Sequence, residues 1–195
     1  MENEKRGNTK QTFKTAWSFI SFVLTVVVMV SMIMLFVMQS YDVDGTSMEP
    51  TLEPADRLII SKVGHSMALL KNKKFVPERG DIIVFHNPQE SPPRLIKRVV
   101  GTPGDRVVLR NGRFTVYPNN GEKNIQFEKE FDLNLAFAEG EIDEVVQDGF
   151  LFVSGDNRTP GGSLDSRNSL GQVPTTDVIG TLVFRLFPLN ESRTF

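Results

Sequence analysis

The chain has 195 residues, a formal net charge of −2, two histidines and no cysteine. That length holds one membrane-length segment and one compact domain of about 150 residues. Without cysteine there is no disulfide framework, thiol nucleophile or thiolate metal site. A faintly acidic balance, with no basic stripe interleaved with aromatics, argues against nucleic acid as a partner.

Residues 1–15 read as a cytoplasmic N-terminal tail and residues 16–39 as a single transmembrane helix. Ala16 to Gln39 contains no charged residue. About 24 residues at about 1.5 Å each reach about 36 Å, more than the hydrocarbon core of about 30 Å. The run from Phe19 to Phe36 is apolar nearly all round, whereas a helix of a soluble core keeps a polar face. A cleavable secretory signal has a shorter apolar region, about 7–15 residues, ending in small residues. This run is longer and leaves through Gln39-Ser40-Tyr41-Asp42, so an uncleaved anchor is expected. Lys5, Arg6, Lys10 and Lys14 precede it, and Asp42, Asp44, Glu49 and Glu53 follow it. Basic flanks stay inside, which predicts a single-pass protein of the cell membrane with residues 40–195 extracellular and a lipid bilayer as one partner.

Beyond the span, short apolar runs alternate with Gly, Pro, Asn and Asp. The pattern predicts strands at Arg57 to Lys62, Asp81 to Phe85, Leu95 to Val100, Arg106 to Leu109, Arg113 to Tyr117, Gly149 to Val153 and Val178 to Phe187. Asn111-Gly112 is a hairpin signal, since both residues tolerate positive φ. The expected fold class is mostly β: a transmembrane helix followed by a compact domain of short, largely antiparallel strands. The stretch near 122–148 is acidic and of mixed periodicity, and reads as a solvated insertion.

Three constellations bear on chemistry. The first is the serine turn Gly45-Thr46-Ser47-Met48-Glu49-Pro50-Thr51-Leu52, just past the span. From Gln39 to Ser47 is eight residues, which reach at most about 28 Å, so this serine works near the outer headgroups. The second is Lys97, inside the apolar strand Arg94-Leu95-Ile96-Lys97-Arg98-Val99-Val100-Gly101. A lysine on an apolar face loses hydration, which lowers its pKa and allows an uncharged amine to take a serine proton. The strand alone favours the blander reading, a lysine whose stem covers apolar surface while its head reaches water. The third is the polar loop from Ser154 to Arg167. As a calcium loop it fails, because the twelfth position from Asp156 is Arg167 where a bidentate Glu is needed. Two histidines, His65 and His86, support a Ser-His-Asp triad thinly and a three-ligand zinc site poorly.

Five segments, in order, resemble the type I signal peptidases, in the Ser-Lys dyad form of bacteria and with a Gram-positive-like pattern. They are Gly45 to Leu52, Asp56 to Lys62, Arg79 to Phe85, Ile96 to Asp105 and Gly155 to Arg167. The resemblance implies that Ser47 is the nucleophile and Lys97 the general base, with the Ser47 N–H in the oxyanion hole. It implies that Ser163 orients the lysine, that Asp165 and Arg167 form a supporting ion pair, and that Leu52, Leu58, Leu95 and Ile96 line pockets for small residues. Gly45 stands where some relatives carry a hydroxyl that serves as a second oxyanion donor. The family loop has two residues where this chain has Thr159-Pro160-Gly161-Gly162.

The implied activity is a membrane-anchored serine endopeptidase that removes signal peptides from exported preproteins, cleaving after small residues, with no metal and no organic cofactor. Signal-peptide-bearing preproteins are the implied partners. The alternative is a dyad-independent assembly partner or chaperone for surface proteins such as pilins.

Overall fold

The computed structural model describes residues 16–32, 37–70, 74–87, 94–188 and 192–195. The chain divides into one unit up to Met38 and another from Gln39 to Phe195.

In the first unit, residues 16–32 form a helix, α1, in which every residue is exposed. Trp17, Phe19, Phe22, Leu24 and Met29 are all open, so no side of the helix is a buried face. Among the described residues, no helix is long and apolar enough to cross a membrane. The far end of the expected span differs from the sequence reading, because Met38 and Gln39 belong to a strand, Met38–Asp42. The expected cytoplasmic tail lies outside the described residues.

The second unit is mostly β. Its strands are β1 (Met38–Asp42), β2 (Arg57–Ser61), β3 (Ile82–His86), β4 (Arg94–Gly101), β5 (Arg106–Arg110), β6 (Arg113–Tyr117), β7 (Ile125–Gln126), β8 (Ile142–Val145), β9 (Phe150–Ser154), β10 (Val173–Pro174), β11 (Val178–Phe187) and β12 (Arg193–Thr194). Two short helices, α2 (Val63–Leu70) and α3 (Phe127–Glu130), interrupt them. Among the described residues the large sheet runs β1-β2-β11-β3-β4-β9-β10, with β12 added to β11, and a smaller sheet runs β7-β6-β5-β8. From β2 to β10 each neighbour in the large sheet is antiparallel.

The period-2 pattern of β3 explains why it sits centrally. Ile82 and Val84 enter one apolar cluster, with Met48, Leu52, Leu58 and Ile60. Ile83 and Phe85 enter another, with Val99, Leu151 and Val153. A strand covered on both faces reads as a continuous apolar run, and Ile82-Ile83-Val84-Phe85 does.

The stretch near 122–148 is not a solvated insertion. Its chain supplies β7, α3 and β8, and Phe127, Ala138 and Val146 are buried in a third cluster with Leu109, Phe114 and Phe152. β8 pairs with β5 from Ile142 opposite Leu109 to Val145 opposite Arg106. Apart from Glu128, the acids of this stretch are exposed, and the few inward apolar residues are spaced too widely to read as periodic.

One buried charge pair ties the small sheet to the polar loop. The Glu128 carboxylate accepts the Phe114 N–H at 3.1 Å and Arg158 Nη1 at 2.7 Å. Arg158, only 1% exposed, donates through Nε to the Gly155 carbonyl at 3.0 Å and lies 4.9 Å over the Phe114 ring. Each charge thus has a partner in an interior that would otherwise penalise it.

Candidate active site

Ser47 sits in a tight turn. The Glu49 N–H donates to the Thr46 carbonyl at 3.1 Å, and the Thr51 and Leu52 N–H groups donate to the Met48 carbonyl at 2.9 and 3.0 Å. Met48 and Leu52 anchor the turn by entering the core, at 1% and 0% exposure. Ser47, immediately before Met48, is left half-buried at the surface.

Lys97 comes from β4, opposite Ile83 of β3, and is 2% exposed. It does not snorkel to water. Its Nζ donates to Ser47 Oγ at 2.7 Å and to the Ile96 carbonyl at 2.8 Å. The adjacent Arg98 is also buried, but its charge is matched. Its Nε lies 2.9 Å from Asp156 Oδ1, its Nη2 2.6 Å from Asp156 Oδ2, and its Nη1 donates to the Gly80 carbonyl at 2.8 Å. Asp156 also accepts the Thr51 hydroxyl at 2.5 Å. One carboxylate therefore binds the strand that bears Lys97 to the turn that bears Ser47.

A cleft of about 410 Å³ opens onto the pair. Ser47, Met48, Val84, Leu95, Ile96 and Lys97 line it, together with Tyr41, Asp42, Val43, Asp44 and Arg94. Leu95 and Ile96 are among the lining residues. Leu52 and Leu58 are not: both are fully buried in the cluster beneath, and Met48 and Val84 face the cleft. Tyr41, with the Arg94 guanidinium 5.6 Å from its ring centre, was not anticipated. Burial pushes the Tyr41 phenol above its ordinary range, against the opposing pull of Arg94. Its signal was weak, since a lone aromatic in the polar exit Gln39-Ser40-Tyr41-Asp42 reads equally well as an interfacial residue.

The backbone of β4 is also open here. β9 pairs with β4 only from Arg98, opposite Ser154, onward to Gly101. Among the described residues, Leu95 to Lys97 pair with β3 on one side alone.

The polar loop folds beneath the Ser47 turn. The Asn157 N–H donates to the Ser47 carbonyl at 3.0 Å, and Asn157 Nδ2 to the Thr46 carbonyl at 3.1 Å. Asp165 and Arg167 form the expected ion pair, 2.7 Å apart, with Asp165 fully buried. Asp165 also accepts the Gly155 N–H at 2.8 Å, which ties the ion pair to the loop. Burial raises the Asp165 carboxyl, but Arg167 and the N–H groups of Gly155 and Arg167 outweigh it and hold it below the usual carboxylate range. Ser163 is buried, and among the described residues its hydroxyl has no hydrogen-bond partner. It packs against Gly155 instead of bonding to Lys97. A β-carbon on Gly155 would lie 2.2 Å from Ser163 Oγ and 2.5 Å from the Ser47 carbonyl oxygen. Gly155 is thus one of the contacts through which loop and turn meet.

The family model for signal peptidase, peptidase S26, matches residues 16–187. The chain belongs to the signal peptidase family. It is 32% identical to signal peptidase I T of Bacillus subtilis (strain 168) over 203 aligned residues, covering 99% of this chain and 98% of that one. With signal peptidase I of Bacillus licheniformis the identity is 32%, covering 99% and 98%. With signal peptidase I P of Bacillus subtilis subsp. natto it is 34%, covering 90% and 91%. A crystal structure of a signal peptidase I from Enterococcus faecalis V583 aligns at 27% identity and a TM-score of 0.42, covering 55% of this chain and 97% of that one. Membership of the family makes the chain a peptidase that removes signal peptides.

Proposed function

We propose that the chain cleaves signal peptides from exported preproteins with a Ser47–Lys97 dyad. The observation that carries this reading is the 2.7 Å contact between Lys97 Nζ and Ser47 Oγ, with the lysine buried. An uncharged amine has two N–H donors and one lone pair. With one N–H donated to the Ile96 carbonyl, the lone pair is directed at Ser47 and the serine hydroxyl becomes the donor. Lys97 accepts that proton as Ser47 Oγ attacks the scissile carbonyl. The oxyanion forms at the Ser47 N–H, and Lys97 returns the proton to the leaving amine. Water, activated by the same base, then breaks the acyl ester. The precursor enters as an added strand along the open edge of β4, its side chains alternating into the cleft between Ile96 and Tyr41. No step calls on a metal or an organic cofactor. Purified in detergent, the Ser47→Ala chain should leave a precursor intact over a period in which wild type cuts it fully. Cleavage at an unchanged rate would overturn the dyad.

The N-terminal segment serves as the membrane anchor, with the catalytic unit outside the cell. A helix of Phe, Val, Leu and Met exposed on every side has no counterpart surface among the described residues of its own unit, and lipid is the solvent that suits it. The full chain should remain with membranes through an alkaline carbonate wash. Release into the soluble fraction would refute the anchor.

A further inference from the structure

The four-residue segment Thr159 to Gly162 of the polar loop has a structural use. Asn157 is bonded on both sides of its amide. Its Nδ2 donates to the Thr46 carbonyl, while its Oδ1 accepts the Thr159 hydroxyl at 2.5 Å and the Thr159 N–H at 3.3 Å. A carbonyl can only accept and an N–H can only donate, so these partners allow one orientation of the amide. Thr159 is itself held in a turn, closed by the Gly162 N–H on the Thr159 carbonyl at 2.9 Å. The segment Thr159-Pro160-Gly161-Gly162 therefore curls back over Asn157.

What Asn157 grips matters for the reaction. The Thr46 carbonyl and the Ser47 N–H belong to one rigid peptide plane and point in opposite directions. Fixing the Thr46 oxygen therefore fixes the direction of the Ser47 N–H. The Thr46 oxygen also accepts the Glu49 N–H at 3.1 Å, so two donors converge on it and share the task. The Asn157 N–H does the same for the next plane through the Ser47 carbonyl. Position 45 is glycine and offers no side-chain hydroxyl to the oxyanion, so the aim of the backbone donor carries more weight.

We infer that Asn157 is a positioning residue that aims the Ser47 N–H at the oxyanion, and that Thr159, from the longer loop, orients Asn157 for it. This rests on the dyad reading, with Ser47 as nucleophile.

The test measures kcat and KM on a precursor peptide, the pH profile of kcat, and inhibition by a peptide aldehyde ending in alanine. An aldehyde adds to the nucleophile and leaves its oxygen in the oxyanion position. Loss of one oxyanion donor costs about 10²–10³ in kcat, and a donor that is present but mis-aimed should cost less. Asn157→Ala should lower kcat about tenfold, weaken the aldehyde by a similar factor, and leave KM and the midpoint of the pH profile unchanged. Thr159→Val should lose about threefold in the same two quantities, and Thr159→Ser should behave as wild type. Thr159 is exposed, so its variants answer the question even if Asn157→Ala does not fold. Aldehyde affinity unchanged in Asn157→Ala, or Thr159→Ser as impaired as Thr159→Val, would overturn the inference. Ser47→Ala in the same series separates the two claims: if it stays active the dyad is wrong, and if it is inactive while the Asn157 and Thr159 variants match wild type, only the positioning role is wrong.

Discussion

Lys97→Arg should abolish processing as completely as Lys97→Ala, with kcat lower by about 10²–10⁴ in each, the range expected for loss of a general base. Arginine keeps a positive charge and hydrogen-bond donors near Ser47, but it does not give up its proton at working pH and so cannot accept one. The pair of variants therefore separates a base from a structural cation. The pH dependence has a defined sign. A lysine base works only as the unprotonated amine, so if Lys97 is the base kcat should rise with pH. The residual rate of Lys97→Ala should lack that rise. Residues that act as one unit lose activity non-additively, so on the dyad reading adding Ser47→Ala to Lys97→Ala should cost little more than either alone. Steady-state rates of the purified chains across the pH range decide the matter. Lys97→Arg working above a tenth of the wild-type rate would eliminate lysine as the proton acceptor.

Gly155→Ala should be nearly as damaging, by a different route. The added carbon would stand 2.5 Å from the Ser47 carbonyl oxygen, a backbone atom that cannot rotate away. It would also stand 2.6 Å from Ser163 Cβ. Relief requires the loop and the serine turn to part, which breaks the Asn157 N–H bond to the same carbonyl. A displacement of about 1 Å at a reacting group costs about 10²-fold, so kcat should fall by about that factor. The core clusters lie elsewhere, so the fold should survive, and circular dichroism with thermal melting checks this. A Gly155→Ala enzyme within threefold of wild type would mean that this contact does not set the position of the nucleophile.

Much of this arrangement was legible because strands and turns announce themselves locally. Arg113 to Tyr117 and Val178 to Phe187 emerge with the boundaries that their apolar runs predict. Asn111 and Gly112 adopt φ of 50° and 73°, as a two-residue hairpin turn requires. Ser47 and Lys97 were marked by the family resemblance, while the strand pattern around Lys97 alone pointed to a snorkelling side chain. Elements whose identity depends on distant partners were not legible. β1 takes its first residue, Met38, from the end of the apolar run, and the polar Gln39-Ser40 that follow mark an exit from that run but not a strand. β8, Ile142-Asp143-Glu144-Val145, looks like solvated acidic chain until β5 is beside it. Leu52 and Leu58 carry the same composition as pocket-lining leucines, and only packing reveals that they lie beneath the floor. The register of Asn157 against Thr46 spans 111 positions of sequence and has no local signature.

The Glu128–Arg158 pair limits how far this enzyme could be reduced to a minimal catalytic module. Excising the four-stranded sheet as an accessory would remove Glu128 and Phe114 together and strand a guanidinium beside the Gly155 carbonyl. Losing one partner of a buried pair costs about 3–5 kcal/mol, a large share of a small domain's stability. A shortened version would therefore need position 158 redesigned as an apolar residue at the same time, so that the sheet and that arginine are removed as one part.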